Sequence, residues 1–363
     1  MAKRRHELDT RVFTIFLLIA IPFVAFGSIV VVTMARGALH DSVGQSLEQR
    51  AFQTKLLIER YVADQVVMLR MLAADPQVHD ALAKSARDRS DDAARLEHAS
   101  KSLLAERLRG QAQIRPGVIV IHALDAAGRL AATSGRMGPV DQADADWFRA
   151  LAQDEQPEPF VGDIHKDASG QGVIEIAYPV YGDDGQWLGG VQTVLESADL
   201  YSVLAPVRVG RTGHAELIHS KDGLILASDN SARELSMVYP GFSAIQAAIR
   251  ERRGYWIIPE VDEAKEDGSR FREPARMMGY ARVDQVPNAE WCVVVEQELS
   301  EANAPIRMVT RYLWIHFIGA FGTVILLALY FSFKLETPVL EEELHLHEEH
   351  IPPSMKTEAS AAE

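Results

Sequence analysis

The sequence predicts an α+β protein. Antiparallel sheets are carried on one long N-terminal helix, and two membrane-spanning helices flank the whole. Three observations carry this. Residues 12–34 and 312–333 are apolar runs of 23 and 22 residues with no formal charge. Residues 38–72 keep a helical apolar period and contain no proline. Between residues 118 and 297, short apolar stretches alternate with Asp- and Gly-containing turns, and the same order occurs twice.

A bilayer core of about 30 Å needs about 20 apolar helical residues, and both end runs meet that length. The first exceeds the roughly 7–15-residue apolar core of a cleaved leader, which favours an uncleaved anchor. Pro22 is tolerated in a membrane helix. Lys3, Arg4, Arg5 and Arg11 precede the first run, and only Arg36 follows it closely. The positive-inside rule then places the N-terminus in the cytoplasm and residues 35–311 outside a bacterial inner membrane. The second run speaks more weakly and partly against this, with Arg307 and Arg311 on its outer side and Lys334 on its inner side. The first helix takes precedence. Tyr312, Trp314 and Tyr330 suit interfacial aromatic belts.

The expected organisation is a cytoplasmic N-terminus (1–11), a first span (12–34) and a long helix with a membrane-distal lobe (35–204). A membrane-proximal lobe (205–311), a second span (312–333) and an acidic cytoplasmic tail (334–363) follow. The tail has eight acidic residues against two lysines, with Pro338, Pro352 and Pro353. No kinase, cyclase or methyl-accepting coiled coil is expected there. His345, His347 and His350 stand among its glutamates. A metal site is conceivable, but a solvated acidic helix is the favoured reading.

Composition narrows the class. The chain has 363 residues, room for two ordinary domains. Hydrophobic residues make up 47%, which excludes a disordered acidic chain. A net charge of −14 argues against a nucleic-acid partner. Cys292 is the one cysteine, so an intrachain disulfide and a Cys-rich zinc site are excluded. Beside Trp291 and Val293 it reads as a buried strand residue.

In the first helix, Leu39, Val43, Leu47, Leu57, Tyr61 and Met68 recur at spacings of three, four or their sums. That stripe packs along the domain or forms a dimer seam. Residues 91–111 give a second helix through Leu96, Leu103, Leu104 and Leu108. Arg115-Pro116-Gly117 ends it. A strand at 118–124, a turn at 125–128 and a returning strand at 129–134 follow. Then come a short helix at 144–151 and strands at 171–181 and 187–195 about a turn at 182–185. The second half has strands at 213–219 and 224–228 about a turn at 221–223, a helix at 243–252, and strands at 254–259, 276–282 and 290–297.

Residues 39–305 resemble a double Cache sensor domain, two PAS-like lobes on one long helix. The resemblance rests on Leu124-Asp125-Ala126-Ala127-Gly128-Arg129, on Asp146-Trp147-Phe148, on residues 177–190 (AYPVYGDDGQWLGG), on 209–228 (VGRTGHAELIHSKDGLILAS) and on 291–296 (WCVVVE). It implies an extracytoplasmic small-molecule sensor with the ligand in the membrane-distal lobe. Trp147 and Phe148 match the aromatic part of the family's binding motif. Phe160 and Asp163 fall near positions where the family often has Tyr and Asp. Glu175 sits mid-strand between Ile174 and Ile176, so its side chain opposes theirs. It faces solvent if one sheet face is open and a cavity if both are covered. With Tyr178 these residues form the expected ligand set: Trp147, Phe148, Phe160, Asp163, Glu175 and Tyr178.

Two departures bear on the ligand. The amino-acid-binding version of the family places an Arg two residues before the Trp, where this sequence has Ala145. It also expects a late Asp where this sequence has Val194. Arg136 in the preceding loop is another cation for the pocket. The remaining lining is aromatic and acidic, which suits a cation or a neutral, partly apolar molecule. Most standard amino acids are expected to be ignored. Residues 334–344 also faintly resemble the opening of a HAMP linker, without its second helix.

No Gly-x-Ser-x-Gly elbow, Walker loop, His-Glu-x-x-His or Cys pair is present. The Gly210–Gly213 stretch is too short for a phosphate loop. A binding module is therefore expected, not an enzyme, with no cofactor and no metal site. Its output passes to a separate membrane or cytoplasmic signalling protein, and the long helix offers a homodimer contact. The rival readings are an assembly protein using the lobes as a protein-binding platform, and a truncated chemoreceptor or histidine kinase.

Overall fold

The apolar stripe of the first helix is long because it serves two sheets. The computed structural model describes residues 2–88, 90, 92–135, 141–153, 158–229, 233–264 and 270–348. It divides into Met1–His40 with Asn303–Glu363, and Asp41–Ala302. Helix α1 runs Ala2–Ala73. After it come α2 (Pro76–Arg87), α3 (Asp92–Lys101) and α4 (Leu103–Gln113). The single helix expected at 91–111 is interrupted at Ser102. That residue is extended (φ −67, ψ 157) and its side chain accepts from the Ala105 N–H at 3.1 Å. A Ser at this position satisfies an orphan amide better outside the helix than within it. Helix α2 was not expected. Asp75 caps it through the Gln77 N–H at 2.9 Å, and Pro76 occupies the first turn, where its missing N–H costs nothing.

The first sheet contains β1 (Val118–Asp125), β2 (Leu130–Thr133), β3 (Phe160–Val161), β4 (His165–Lys166), β5 (Gly172–Tyr181) and β6 (Trp187–Glu196). Its order is β2-β1-β6-β5-β3, with β4 also on β5, and every pairing is antiparallel. Helix α5 (Asp146–Gln153) precedes β3, and α6 (Ser197–Leu204) leads out of β6. The second sheet contains β7 (His214–His219), β8 (Ile225–Ala227), β9 (Arg253–Ile258), β12 (Arg276–Arg282) and β13 (Trp291–Glu298). Its antiparallel order is β8-β7-β13-β12-β9. Helix α7 (Phe242–Ile249) comes between β8 and β9, and a separate hairpin joins β10 (Val261–Ala264) to β11 (Arg270–Glu273). The fold is α+β, two PAS-like sheets on a long helix.

One continuous core follows α1 past both sheets. Leu47, Ala51, Ile58, Val62, Leu69 and Leu72 of α1 are buried in it. So are Ile121, Ile174 and Leu195 of the first sheet and Leu217, Met277 and Val293 of the second. At Gly279 the helix lies directly on β12, where any Cβ would strike the backbone of Leu47 and Glu48. Polar contacts fix the same register. Lys55 Nζ is 2.5 Å from Asp284 Oδ1, and Glu59 Oε1 accepts from the amides of Asp284 (3.0 Å) and Gln285 (2.9 Å). Asp125, fully buried, closes its turn by accepting from the Ala127 and Arg129 amides and ties it to α2 through Ser85 Oγ at 2.9 Å.

The opposite face of each sheet has its own small core. Trp147, Phe148 and Leu151 of α5 cover Leu124 and Ala177. Phe242, Ile245 and Ile249 of α7 cover Ile218, Tyr280, Cys292 and Val294. Cys292 is the buried strand residue the sequence suggests, and burial pushes its thiol up to about 12.

The final helices are α8 (Leu299–Ala302) and α9 (Ala304–Glu348). Among the described residues one helical segment, Leu299–Leu327, is long and apolar enough to cross a membrane. The side chains of residues 12–17, 19–21 and 24 in the span expected at 12–34 lie outside the described set, as do the side chains of His345 and His347 and all of His350.

Candidate ligand-binding site

The α5 face of the first sheet brings the candidate residues together. Directly paired residues of antiparallel strands share a face, with Cβ atoms about 4.5–5.5 Å apart. The pairs Ala177↔Gln192, Gln192↔His122 and His122↔Thr133 therefore make one row across β5, β6, β1 and β2. The pairs Glu175↔Val194 and Val194↔Val120 make the next. Ala177 packs under Trp147 and Phe148, which places both rows on the α5 side.

Of the six residues the sequence singles out, four meet there. Trp147 and Phe148 are in edge-to-face contact with ring centroids 5.4 Å apart, and Phe160 is packed against the same cluster. Phe160 pairs with Ala177, so it shares the face of Glu175. The other two are placed differently. Tyr178 is three residues from Glu175 and so lies on the opposite face, where Arg70 of α1 sits 5.6 Å from its ring. Asp163 is exposed in the link between β3 and β4, its carbonyl 3.1 Å from His165 Nδ1. Val194 is on the site face opposite Glu175, and Ala145 packs beside Trp147. Arg136 lies outside the described residues.

Trp147 is 1% exposed and is packed core. Its Nε1 donates to Gln142 Oε1 at 3.3 Å. Gly190 makes room for it, since a Cβ there would meet the indole ring at 3.2 Å. Glu175 is half-buried. Burial raises its carboxyl above the ordinary range and Asp146 adds to this, while His165 opposes it.

Two residues that sequence reasoning passed over complete the patch. His122 is 2% and Gln192 1% exposed, yet among the described residues His122 Nδ1 and Gln192 Oε1 have no hydrogen-bond partner. A buried polar atom left unpaired costs about 1–3 kcal/mol, so such groups call for a partner. The signal in the sequence was phase. His122 falls in step with Val120 and Leu124, and Gln192 with Gly190 and Val194, so each polar side chain points where an apolar neighbour does. A cleft of about 510 Å³ elsewhere, among α2–α4 and lined by Lys84, Asp88, Arg95 and His98, contains none of these residues.

His122 supplies a pH test. Burial lowers its pKa to about 4, from the ordinary histidine value of 6.5. The unfolded chain therefore takes up this proton first as pH falls. Stability is complete above pH 6.5 and is lost through the window down to 4, by about 3 kcal/mol for this group. Denaturant unfolding of wild type and His122→Gln at several pH values isolates it. The variant is expected to lose less stability across that window, and parallel curves would show that His122 titrates normally.

Two lobes of antiparallel sheet on one long helix, with a polar patch under a short helix in the first, match a known family. The family model described as dCache_1, Cache domain, aligns with residues 34–306. The chain belongs to the Cache domain family. Cache domains are ligand-binding sensor modules of receptors. Solved Cache structures are similar to this chain. The ligand-binding domain of the Pseudomonas aeruginosa PAO1 amino acid chemoreceptor PctC, in complex with GABA, is 18% identical. That match covers 70% of this chain and 99% of the other, with a TM-score of 0.46. The ligand-binding domain of the Pseudomonas fluorescens chemoreceptor CtaA with L-isoleucine is 17% identical, covering 74% and 97%, with a TM-score of 0.46. The ligand-binding domain of Mlp24 with asparagine is also 17% identical, covering 75% and 98%, with a TM-score of 0.48. No curated protein sequence matches the chain.

Proposed function

We propose that this Cache protein is a membrane-anchored sensor of the bacterial inner membrane. Residues 12–34 and 312–333 span the bilayer, and residues 35–311 lie outside the cytoplasm. The distal lobe, 35–204, binds a small cationic or neutral molecule on the α5 face of the first sheet. The reading is carried by one observation: two buried polar atoms without partners among the described residues, His122 Nδ1 and Gln192 Oε1, on the same sheet face as the half-buried Glu175. Glu175 attracts a cation, Gln192 accepts from it, and the packed aromatics exclude water. A ligand can shift the protein only through unequal affinity for two states. The signal then passes to a separate membrane or cytoplasmic signalling protein. The domain binds and does not catalyse.

The test is a thermal-shift screen of the full chain in lipid nanodiscs, followed by calorimetry on any hit. Small cations and neutral polar compounds are expected to stabilise it, and most of the twenty amino acids are not. Glu175→Gln is expected to weaken a cationic ligand by about tenfold or more, the value of one charge-assisted contact. Ordinary amino acids binding with Glu175→Gln unchanged would refute the ligand class. No stabilising compound, with a partner protein captured by the lobes, would favour the platform reading.

A further inference from the structure

The second sheet holds a buried charged cluster that the ligand reading leaves unused. His214 pairs with Glu296 and Glu216 with Val294, so all four point to the α7 side. Glu216 is 0% exposed. Its Oε1 accepts from Ser228 Oγ at 2.7 Å and lies 3.2 Å from Arg233 Nη1, while its Oε2 has no partner among the described residues. His214 Nδ1 faces the Thr212 carbonyl at 3.4 Å. That leaves Nε2 turned inward, 3.7 Å from Glu216 Oε1 and 3.4 Å from Glu296 Oε1, with no hydrogen bond. Ligand atoms of His214, Glu216 and Asp229 all lie within 4.8 Å of one another.

We propose that His214, Glu216 and Asp229 bind a divalent transition-metal cation such as Zn²⁺. Tetrahedral zinc holds N and O ligands at about 2.0–2.2 Å, so its ligand atoms sit about 3.3–3.6 Å apart, and the three side chains, whose ligand atoms lie within 4.8 Å of one another, draw together on the ion. A ring nitrogen oriented by a backbone carbonyl is the common second-layer support of a metal histidine. Charge agrees. The carboxylates of Glu216, Asp229, Glu234, Glu273 and Glu296 stand against the guanidiniums of Arg208, Arg233 and Arg276. Burial opposes protonation of His214, but Glu216 and Glu296 raise its imidazole to about 9, so without an ion its proton leaves one negative charge unmatched. An ion that displaces that proton faces two. Glu296 is already held by Arg276 and Tyr239, and Arg233 stays on Glu216 Oε1, so Oε2 is the atom left for the ion. An imidazole in the set favours Zn²⁺ or Ni²⁺ over Mg²⁺ and Ca²⁺. The ion joins β7 to the segment after β8, independently of any ligand on the first sheet.

The full chain in nanodiscs, stripped with EDTA and dialysed, is titrated with Zn²⁺ and then analysed for metal. One equivalent is expected, with Mg²⁺ and Ca²⁺ far weaker. His214→Ala and the exposed Asp229→Asn are each expected to weaken Zn²⁺ by about tenfold or more. The triple variant His345→Ala/His347→Ala/His350→Ala is expected to keep the site. No uptake by wild type, uptake unchanged in Asp229→Asn, or uptake lost in the tail variant would each overturn the proposal. If His214→Ala fails to fold, Asp229→Asn decides, since its side chain is at the surface.

Discussion

Arg276→Ala is expected to cost the Asp41–Ala302 unit about 3–5 kcal/mol of unfolding free energy, the cost of stranding a buried charge. Arg276 is 5% exposed. Its Nη1 lies 2.9 and 3.0 Å from the two oxygens of Glu296 and 2.6 Å from Glu273 Oε2. Its Nη2 donates to the Pro240 carbonyl at 3.0 Å, and its guanidinium sits 5.2 Å from the centre of the Tyr239 ring. Removing it leaves Glu296, 3% exposed, beside Glu273 with no guanidinium between them. Arg276→Lys keeps the charge but not the fork, so it is expected to recover only part of the loss. Arg276→Met with Glu296→Gln should be more stable than Arg276→Ala, because the stranded charge is gone. Denaturant melts of Arg276→Met, Glu296→Gln and the double variant alongside wild type close the cycle that gives the coupling. A loss below about 1 kcal/mol for Arg276→Ala would mean the carboxylates are hydrated, as surface ion pairs are.

Trp147→Ala is expected to cost a similar amount, about 3–5 kcal/mol, the range for deleting a fully buried large aromatic. The ring is enclosed by Phe148, Leu151 and the bare backbone of Gly190, and no small rearrangement fills its volume. Lost ligand binding in this variant therefore reports on folding as much as on contact. Glu175→Gln is the cleaner reporter, since Glu175 is only half-buried. Trp147→Phe is expected to fall between wild type and Trp147→Ala. Melts that leave Trp147→Ala within about 0.5 kcal/mol of wild type would mean that the indole lines open space.

The candidate site was partly legible for a reason that applies strand by strand. Glu175 stood out because it interrupts Ile174 and Ile176, and alternation alone sends it to the other face. The same alternation, counted three residues on, separates Tyr178 from it. His122 and Gln192 were hidden because each is a lone polar residue in phase with apolar ones. Only pairing across four strands shows that they are adjacent and without partners. The His214–Glu216–Asp229 cluster was hidden more deeply. Asp229 lies beyond the next strand, and no local spacing relates it to the other two.

By itself the sequence determined the long first helix, the main strands and their turns, and the family, though not α2, α6 or the short strands β3, β4, β10 and β11. These depend on local periods, on turn chemistry and on the order of short motifs, all of which act over a few residues. The break of the expected second helix at Ser102 is a local cap that apolar periodicity alone does not reveal; other outcomes were left to the tertiary structure. It alone decided that Trp147 is enclosed core, and that α1 lies against the backbone of β12 at Gly279. Those outcomes depend on what a distant segment covers. A helix end forms where its amides find a better acceptor, and a ring becomes core only when a facing glycine gives it room. Contacts between residues far apart in the chain set the second, and no local pattern encodes them, whereas the Ser102 cap acts over three residues.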